Sequence, residues 1–282
     1  MTEKKKPYQI VWEEIRAKMD VGIVPWHKPF AFLLPYNGVT GYQYRGVNVW
    51  LCLIAGFASP RWFTFRQISE RGGDIKGEKG SLVVWWQMRS IPEPTDKDPD
   101  AVKTFPILKY YKVWNDEQIT GMDFEPLPVR EIEPIAECEN ILDAYTDKPL
   151  VRTNGVSAHY DKLQDLVGMP PQTSFDTDAE YYNTLFHEMA HSTGHPNRLD
   201  RFSLSDPSDF FGSESYSEEE LTAELTAAYL AGLAGIGRPM IDNSAAYCRA
   251  WMRAFQDDDR MFIFAAQRAQ KAADYIQGES WS

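Results

Sequence analysis

This sequence of 282 residues lacks any apolar run near the ~20 residues that a membrane-spanning helix requires. No membrane association through such a helix is expected. Cysteine is scarce: Cys52, Cys138 and Cys248 are odd in number, far apart, and form no C-x-x-C pair. That usage excludes a disulfide scaffold and fits reduced, structural thiols in the cytoplasm. The residues from Met1 to Lys6 are charged and lead into Tyr8 to Glu14 without an apolar signal core, so no export is expected. No internal repeat of 20–50 residues is visible, which argues against a solenoid. What is present is the composition of a folded protein, 43% hydrophobic and 13% aromatic, in a chain long enough for two cores.

Histidine is also rare, with five in the chain, yet two of them fall in His187-Glu188-Met189-Ala190-His191. Side chains four apart on an α-helix share one face. Two imidazoles at that spacing can close on one Zn²⁺ and leave room for a third ligand and a water. Glu188 then faces the water as general base. The local sequence predicts a helix: Asp178 and Glu180 supply acids at its start, Tyr182, Leu185, Phe186, Met189 and Ala190 recur at helical spacing, and Gly194 supplies a stop. His27 and His159 have no partner at ligand spacing and read as structural or surface residues.

Charge divides the chain. Residues 1–90 carry 13 Lys and Arg against 7 Asp and Glu, a net of +6, whereas the remainder carries 16 against 34, a net of −18. Such asymmetry suggests that one part faces a polyanion, with two ordinary solvated surfaces as the alternative. Within the basic part, Val24-Pro25-Trp26-His27-Lys28-Pro29-Phe30 is a stiff loop, because its prolines remove donors and fix φ. Val49 to Phe57 is a core helix or a buried strand, Ser59 to Phe65 alternates as a strand does, and Ser81–Trp86 and Ile107–Trp114 predict a strand pair. Rings interleaved with cations suit single-stranded nucleic acid, since bases stack on rings and cations follow phosphates. Trp26, Lys28, Tyr42, Tyr44, Arg45, Arg61, Trp62, Arg66, Lys76 and Lys79 are the candidates. Core packing is the competing use of the aromatics and is expected to claim about half of them.

The runs V-P-W-H-K-P-F, T-G-Y-Q-Y-R-G-V-N, S-P-R-W-F-T-F-R-Q, K-G-E-K-G-S-L-V-V-W-W and V-W-N-D-E-Q-I-T-G, in this order, resemble the N-terminal domain of the ArdC antirestriction family. These proteins accompany conjugative plasmids. The resemblance covers nearly the whole chain. It implies an α+β fold of two domains: an N-terminal α+β domain that binds single-stranded DNA, and a C-terminal, mainly helical zincin-like metallopeptidase domain with a small sheet. The expected limits are 1–125 for the first, 126–136 for a proline-rich linker beginning Pro126-Leu127-Pro128, and 137–282 for the second.

The third metal ligand must come from outside the helix of His187. His195 lies beyond Gly194, and the position where the longer metzincin pattern has its third histidine is Asn197. The repeat Glu220-Leu221-Thr222-Ala223-Glu224 resembles the glutamate helix of Glu-type zincins. In that register Glu220 is the ligand and Glu224 the partner of a ligating imidazole; a slip of one turn makes Glu224 the ligand. Glu218 and Glu219 read as acids at a helix N-terminus, favoured there by the macrodipole.

The function implied is a single-stranded-DNA-binding antirestriction protein of a conjugative element. Its second domain would hydrolyse peptide bonds with metal-activated water, using Zn²⁺ or another divalent ion such as Mn²⁺. A host restriction-system protein is the implied substrate or docking partner, met in the cytoplasm, including that of the recipient cell during conjugation. The alternative is a DNA-binding protein whose metal domain is structural or a docking module. A DNA-cutting metalloenzyme is disfavoured, because no carboxylate-rich two-metal site is visible.

Overall fold

In the computed structural model the described residues are 5–24, 26, 34–93, 101–127, 133–153, 155–201, 214–237, 244–255 and 258–279. Helix α1 (Pro7–Met19) starts on a proline, where the missing N–H would have had no helical acceptor, and buries Val11, Ile15 and Met19 at four-residue spacing. After the short strand β1 (Tyr36–Asn37), Gly46 at φ 56° turns the chain into α2 (Val47–Leu53). The apolar run that the sequence left open between helix and strand is therefore helical as far as Leu53, after which the chain turns. Strand β2 (Arg61–Thr64) passes directly into α3 (Phe65–Ser69). Here the Thr64 hydroxyl accepts from the Gln67 amide, and the Gln67 side chain accepts from the Thr64 amide, a reciprocal cap that sets the helix start.

Strands β3 (Ser81–Pro92) and β4 (Val102–Asn115) form a hairpin longer than the expected pair, since the register continues from Ser81↔Val113 to Pro92↔Val102. The added length is open to solvent and lacks the apolar alternation that marks a half-buried strand in sequence. The first sheet has the order β1-β2-β4-β3, with β2 antiparallel to β4.

The second half opens with α4 (Pro134–Ala144), followed by β5 (Leu150–Arg152), β6 (His159–Asp161) and β7 (Leu166–Gly168). Strands β5 and β6 are consecutive in the chain but not neighbours in the sheet, because β7 lies between them and gives the order β5-β7-β6. All three β7 residues are buried, and the most apolar strand takes the centre. Four helices complete the chain: α5 (Asp178–Ser192), α6 (Glu214–Ala234), α7 (Ser244–Phe255) and α8 (Met261–Ile276). Among the described residues no helix is long and apolar enough to cross a membrane.

Two large cores lie on either side of α6 and α8. In one, Val11 and Ile15 of α1, Trp50 and Leu51 of α2, and Leu82 and Val84 of β3 pack with Leu221 and Leu225 of α6 and Phe262 of α8. In the other, Leu142 of α4, Val167 of β7 and Phe186 and Met189 of α5 pack with Ala227 and Leu230 of α6 and Ile276 of α8. The segment of α6 beyond Leu225 is almost wholly apolar because it is covered nearly all round, with Thr226 as its one polar side chain. A polar tie crosses the same boundary: Arg45 pairs with Asp274, which is almost fully buried, and Gln270 accepts from the Gly46 amide at 3.1 Å.

Because residues from both halves fill one core, the chain is expected to unfold in a single transition. Phe262→Ala should destabilise it by about 3–5 kcal/mol, the usual cost of emptying a buried phenylalanine site. Urea denaturation read by circular dichroism checks this; a destabilisation of less than about 1 kcal/mol would contradict the shared core.

Candidate metal centre

Helix α5 is started by Thr177, whose hydroxyl accepts from the Glu180 amide, with Asp178 and Glu180 in the first turn. Its buried stripe of Tyr182, Leu185, Phe186 and Met189 fixes the rotation of the helix, and the same rotation turns His187 and His191 together toward α6. The two Nε2 atoms lie 3.1 Å apart, with the rings nearly perpendicular at 82°. From α6, Glu220 brings Oε2 to 3.6 Å from His187 Nε2 and Oε1 to 3.4 Å from His191 Nε2. These three residues are the group of metal-type donors found among the described residues, each half-buried.

The spacing can be tested against a metal. Bonds of about 2.1 Å at tetrahedral angles put donor atoms roughly 3.4 Å apart. The observed 3.1 Å between the two Nε2 atoms, and 3.4 and 3.6 Å from each ring to its nearer Glu220 oxygen, a different oxygen for each ring, lie close to that spacing. Two imidazole nitrogens and one carboxylate also suit a transition-metal ion with one open position. Glu188, only 8% exposed, borders the same cleft of about 750 Å³. The far wall of the cleft is β6, an edge strand, through His159 and Tyr160.

The imidazole face away from Glu220 is also engaged. Glu219 Oε1 lies 3.3 Å from His191 Nδ1. Arg201 donates from Nε and Nη2 to the two oxygens of Glu219 at 2.9 and 2.8 Å, and also donates to Thr193 Oγ1 and the Ala190 carbonyl. Burial disfavours a charged imidazole, but the hydrogen bonds and charges of Glu219 and Glu220 outweigh it and raise His191 to about 10. Glu220 moves the other way: against its burial, the two histidines hold its carboxyl well below the usual range. Glu219 is likewise held low despite burial, chiefly by Arg201 and then by His191.

Glu219, read from the sequence as an acid placed only for the helix dipole, thus stands against a ring nitrogen of the centre, with Arg201 of the following loop behind it. Successive helix positions differ by about 100°, so Glu219 and Glu220 occupy adjacent sectors and can meet the two nitrogens of one ring. The alternative register with Glu224 as third donor is not the one adopted. Glu224 lies one turn along α6, outside the three-donor group. His195 is spent locally, its Nδ1 accepting from the Asn197 amide at 3.2 Å. His159 is exposed, its ring so close over Gly168 that a Cβ there would meet it at 2.5 Å.

The nucleic-acid candidates divide sharply. Trp26, Tyr44 and Trp62, expected on a DNA-facing surface, are instead buried at 0, 3 and 1% exposure. Large rings are the most effective core fillers, and Trp26 packs on Phe262 and Trp251 while Trp62 packs on Phe57. Arg61 is corrected from a solvent-facing cation to a structural one, paired with Asp116 at 2.8 Å and donating to the Glu125 carbonyl, whereas Arg45 stays exposed while pairing with Asp274. Tyr42, Arg66, Lys76 and Lys79 are exposed, Arg66 in an exposed i,i+4 pair with Glu70. Lys28 lies outside the described residues.

Comparison with known proteins follows the same two-part division. Residues 5–114 match the N-terminal domain of the anti-restriction factor ArdC, and residues 136–268 match the zincin-like metallopeptidase family. The crystal structure of the antirestriction protein ArdC from plasmid R388 is similar in its metal-free form, with a TM-score of 0.75, 36% identity and coverage of 97% of both chains. The Mn(II)-bound form of that protein is similar at the same TM-score and 37% identity. An Escherichia coli DNA primase TraC is 33% identical over 98% of this chain, which spans 27% of that protein's length; for a second TraC the share is 20%. An uncharacterized protein, y4eC of Sinorhizobium fredii, is 31% identical over 96% of this chain and 92% of its own.

The loop after α5 is anchored by Arg198. Its guanidinium pairs with Asp165 and donates to the Ser192 carbonyl at 2.7 Å and the Asp147 carbonyl at 3.2 Å. It therefore joins the end of α5 to the β6–β7 turn, and it holds the segment that leads to Arg201. Arg198→Ala should destabilise the chain by about 3 kcal/mol, since several buried acceptors lose a charged donor together. Thermal and urea unfolding of the variant measure this, and an unchanged midpoint would disprove the anchoring role.

Proposed function

The chain belongs to the ArdC antirestriction family, and from that premise we propose a protein that binds single-stranded DNA with its N-terminal part and cleaves peptide bonds with its C-terminal part. The proposed division follows the linker at 126–136, with 1–125 as the DNA-binding domain and 137–282 as the peptidase domain. His187, His191 and Glu220 are the proposed ligands of Zn²⁺ or Mn²⁺, and Glu188 the proposed general base. The observation that carries this reading is the convergence of His187, His191 and Glu220, with contacts of 3.1–3.6 Å, in a cleft that Glu188 also lines.

In such a centre a bound divalent ion supplies Lewis acidity to water and to the scissile carbonyl. The chain's own residues do the rest. His187 and His191 present Nε2 lone pairs, which requires both rings to be neutral. Glu219, itself gripped by Arg201, accepts a hydrogen bond from His191 Nδ1 and so fixes the tautomer and tilt of that ring. Glu188 accepts the proton of the attacking water at its carboxylate and returns it to the leaving amine. The free edge of β6 offers backbone groups along which an extended peptide can lie. By this reading the protein works in the cytoplasm, on DNA entering by conjugation, and its peptide partner is a restriction-system protein.

Glu188→Gln should abolish peptide hydrolysis while the bound metal, measured by elemental analysis, stays at the wild-type level. Hydrolysis at an undiminished rate would remove the mechanism. Protection of incoming DNA by Glu188→Ala at the full level would instead assign the function to DNA binding and docking. Metal affinity should also depend on pH. In the ion-free protein His191 keeps its proton up to about 10, so the ion must displace it. Affinity for Mn²⁺ should therefore rise with pH, by about tenfold per unit between roughly pH 6 and 8 for one displaced proton. A flat profile in calorimetric titrations would exclude His191 as a ligand. Glu219→Gln should weaken Mn²⁺ binding by about 10–100-fold, the range typical of removing a ligand's supporting carboxylate.

A further inference from the structure

The β3–β4 hairpin presents one face to the core and leaves the other open. Leu82, Val84 and Leu108 point inward. Cross-strand partners share a face, so the register places Tyr111 with Val83, Trp85 with Lys109, and Arg89 with Phe105 on the opposite side. At the base of this side lies the cluster of Tyr44, Trp62, Val83 and Val113, and Tyr42 stands edge-on over Tyr44 with ring centroids 6.5 Å apart. Beyond it the face is open: Tyr42 is 61% exposed, Trp85 47% and Tyr111 39%.

The two strands together hold four cations, Arg89, Lys103, Lys109 and Lys112, and no carboxylate, in a chain whose net charge is −12. Among the described residues Arg89, Lys109 and Lys112 form no ion pair. Lysines on an edge strand also deter unwanted strand pairing, but that purpose does not account for three large rings left in water beside them. Rings for bases and cations for phosphates, at alternate positions about 6.8 Å apart along one strand face, are the requirements of a single-stranded nucleic acid.

We propose that this open face, with Tyr42, Tyr111 and Trp85 as stacking platforms and Lys109 and Arg89 as phosphate contacts, is the surface on which the chain holds single-stranded DNA. The assignment rests on the reading that the N-terminal part binds such DNA, and it moves the contact from the buried Trp26, Tyr44 and Trp62 to a different set of residues.

The test uses the full chain and a fluorescein-labelled oligothymidylate of about 20 nucleotides, followed by anisotropy at salt concentrations from about 50 to 200 mM. Trp85→Ala and Tyr111→Ala should each weaken binding about tenfold, and Trp85→Phe, which keeps a ring, should restore most of the affinity. Arg89→Ala with Lys109→Ala should flatten the slope of log affinity against log salt by about 1.4, roughly 0.7 for each phosphate that is no longer neutralised. That pair carries the test should either ring variant fail to fold. Wild-type affinity and slope in all of these variants, with the parent chain binding tightly, would overturn this surface and leave DNA binding in place. A parent chain that does not bind the oligonucleotide would overturn both. Equal competition by polyglutamate would overturn the nucleic-acid partner in favour of an acidic peptide.

Discussion

Helices α5 and α6 must meet at one rotation for the three donors to converge, and most of the structure serves that contact. Each imidazole Nε2 comes within 3.6 Å of a carboxylate from the other helix. Such a contact is unfavourable to hold open: two rings and an acid, half-buried, repel or attract according to which protons are present. The protein meets this with a second layer of charge. Arg201 neutralises Glu219, Glu219 holds the far side of His191, and the same guanidinium ties down the end of α5 through the Ala190 carbonyl. The raised pKa of His191 is the electrostatic signature of this design. Negative charge gathered around two nitrogens attracts a proton where no ion is available and a divalent cation where one is.

The same helix couples the centre to the rest of the chain. α6 gives Glu219 and Glu220 to the cleft at its start, and within one to two turns gives Leu221 and Leu225 to the core built with α1, α2 and β3. Arg45 and Gly46, from the half matched to the ArdC N-terminal domain, reach across to Asp274 and Gln270 of α8. The two parts are thus not beads on a linker. The helix that carries Glu220 is packed against residues of the N-terminal half.

Charge separation survives in this joined arrangement. Glu218, Glu219 and Glu220 line the cleft, where they are opposed by Arg268, Arg201 and the two histidines. The paired strands β3 and β4, by contrast, carry four cations and no carboxylate of their own.

The sequence by itself determined the local terms. The four-residue spacing of His187 and His191 required a shared helix face, the caps at Thr64 and Thr177 set where helices begin, and the acidic run before Leu221 announced a second helix with a donor to offer. These are read from residues within one or two turns of each other. Tertiary structure alone decided that Glu219 faces a ring nitrogen, that Arg201 stands behind it, that β7 enters between β5 and β6, and which tryptophans are core. Trp26 and Trp85 look alike in sequence, each beside apolar and basic neighbours, yet one is sealed by Phe262 and the other stands in water. Burial is a property of what packs on a residue from elsewhere in the chain, and for Trp26 that neighbour comes from α8, more than two hundred residues away in sequence.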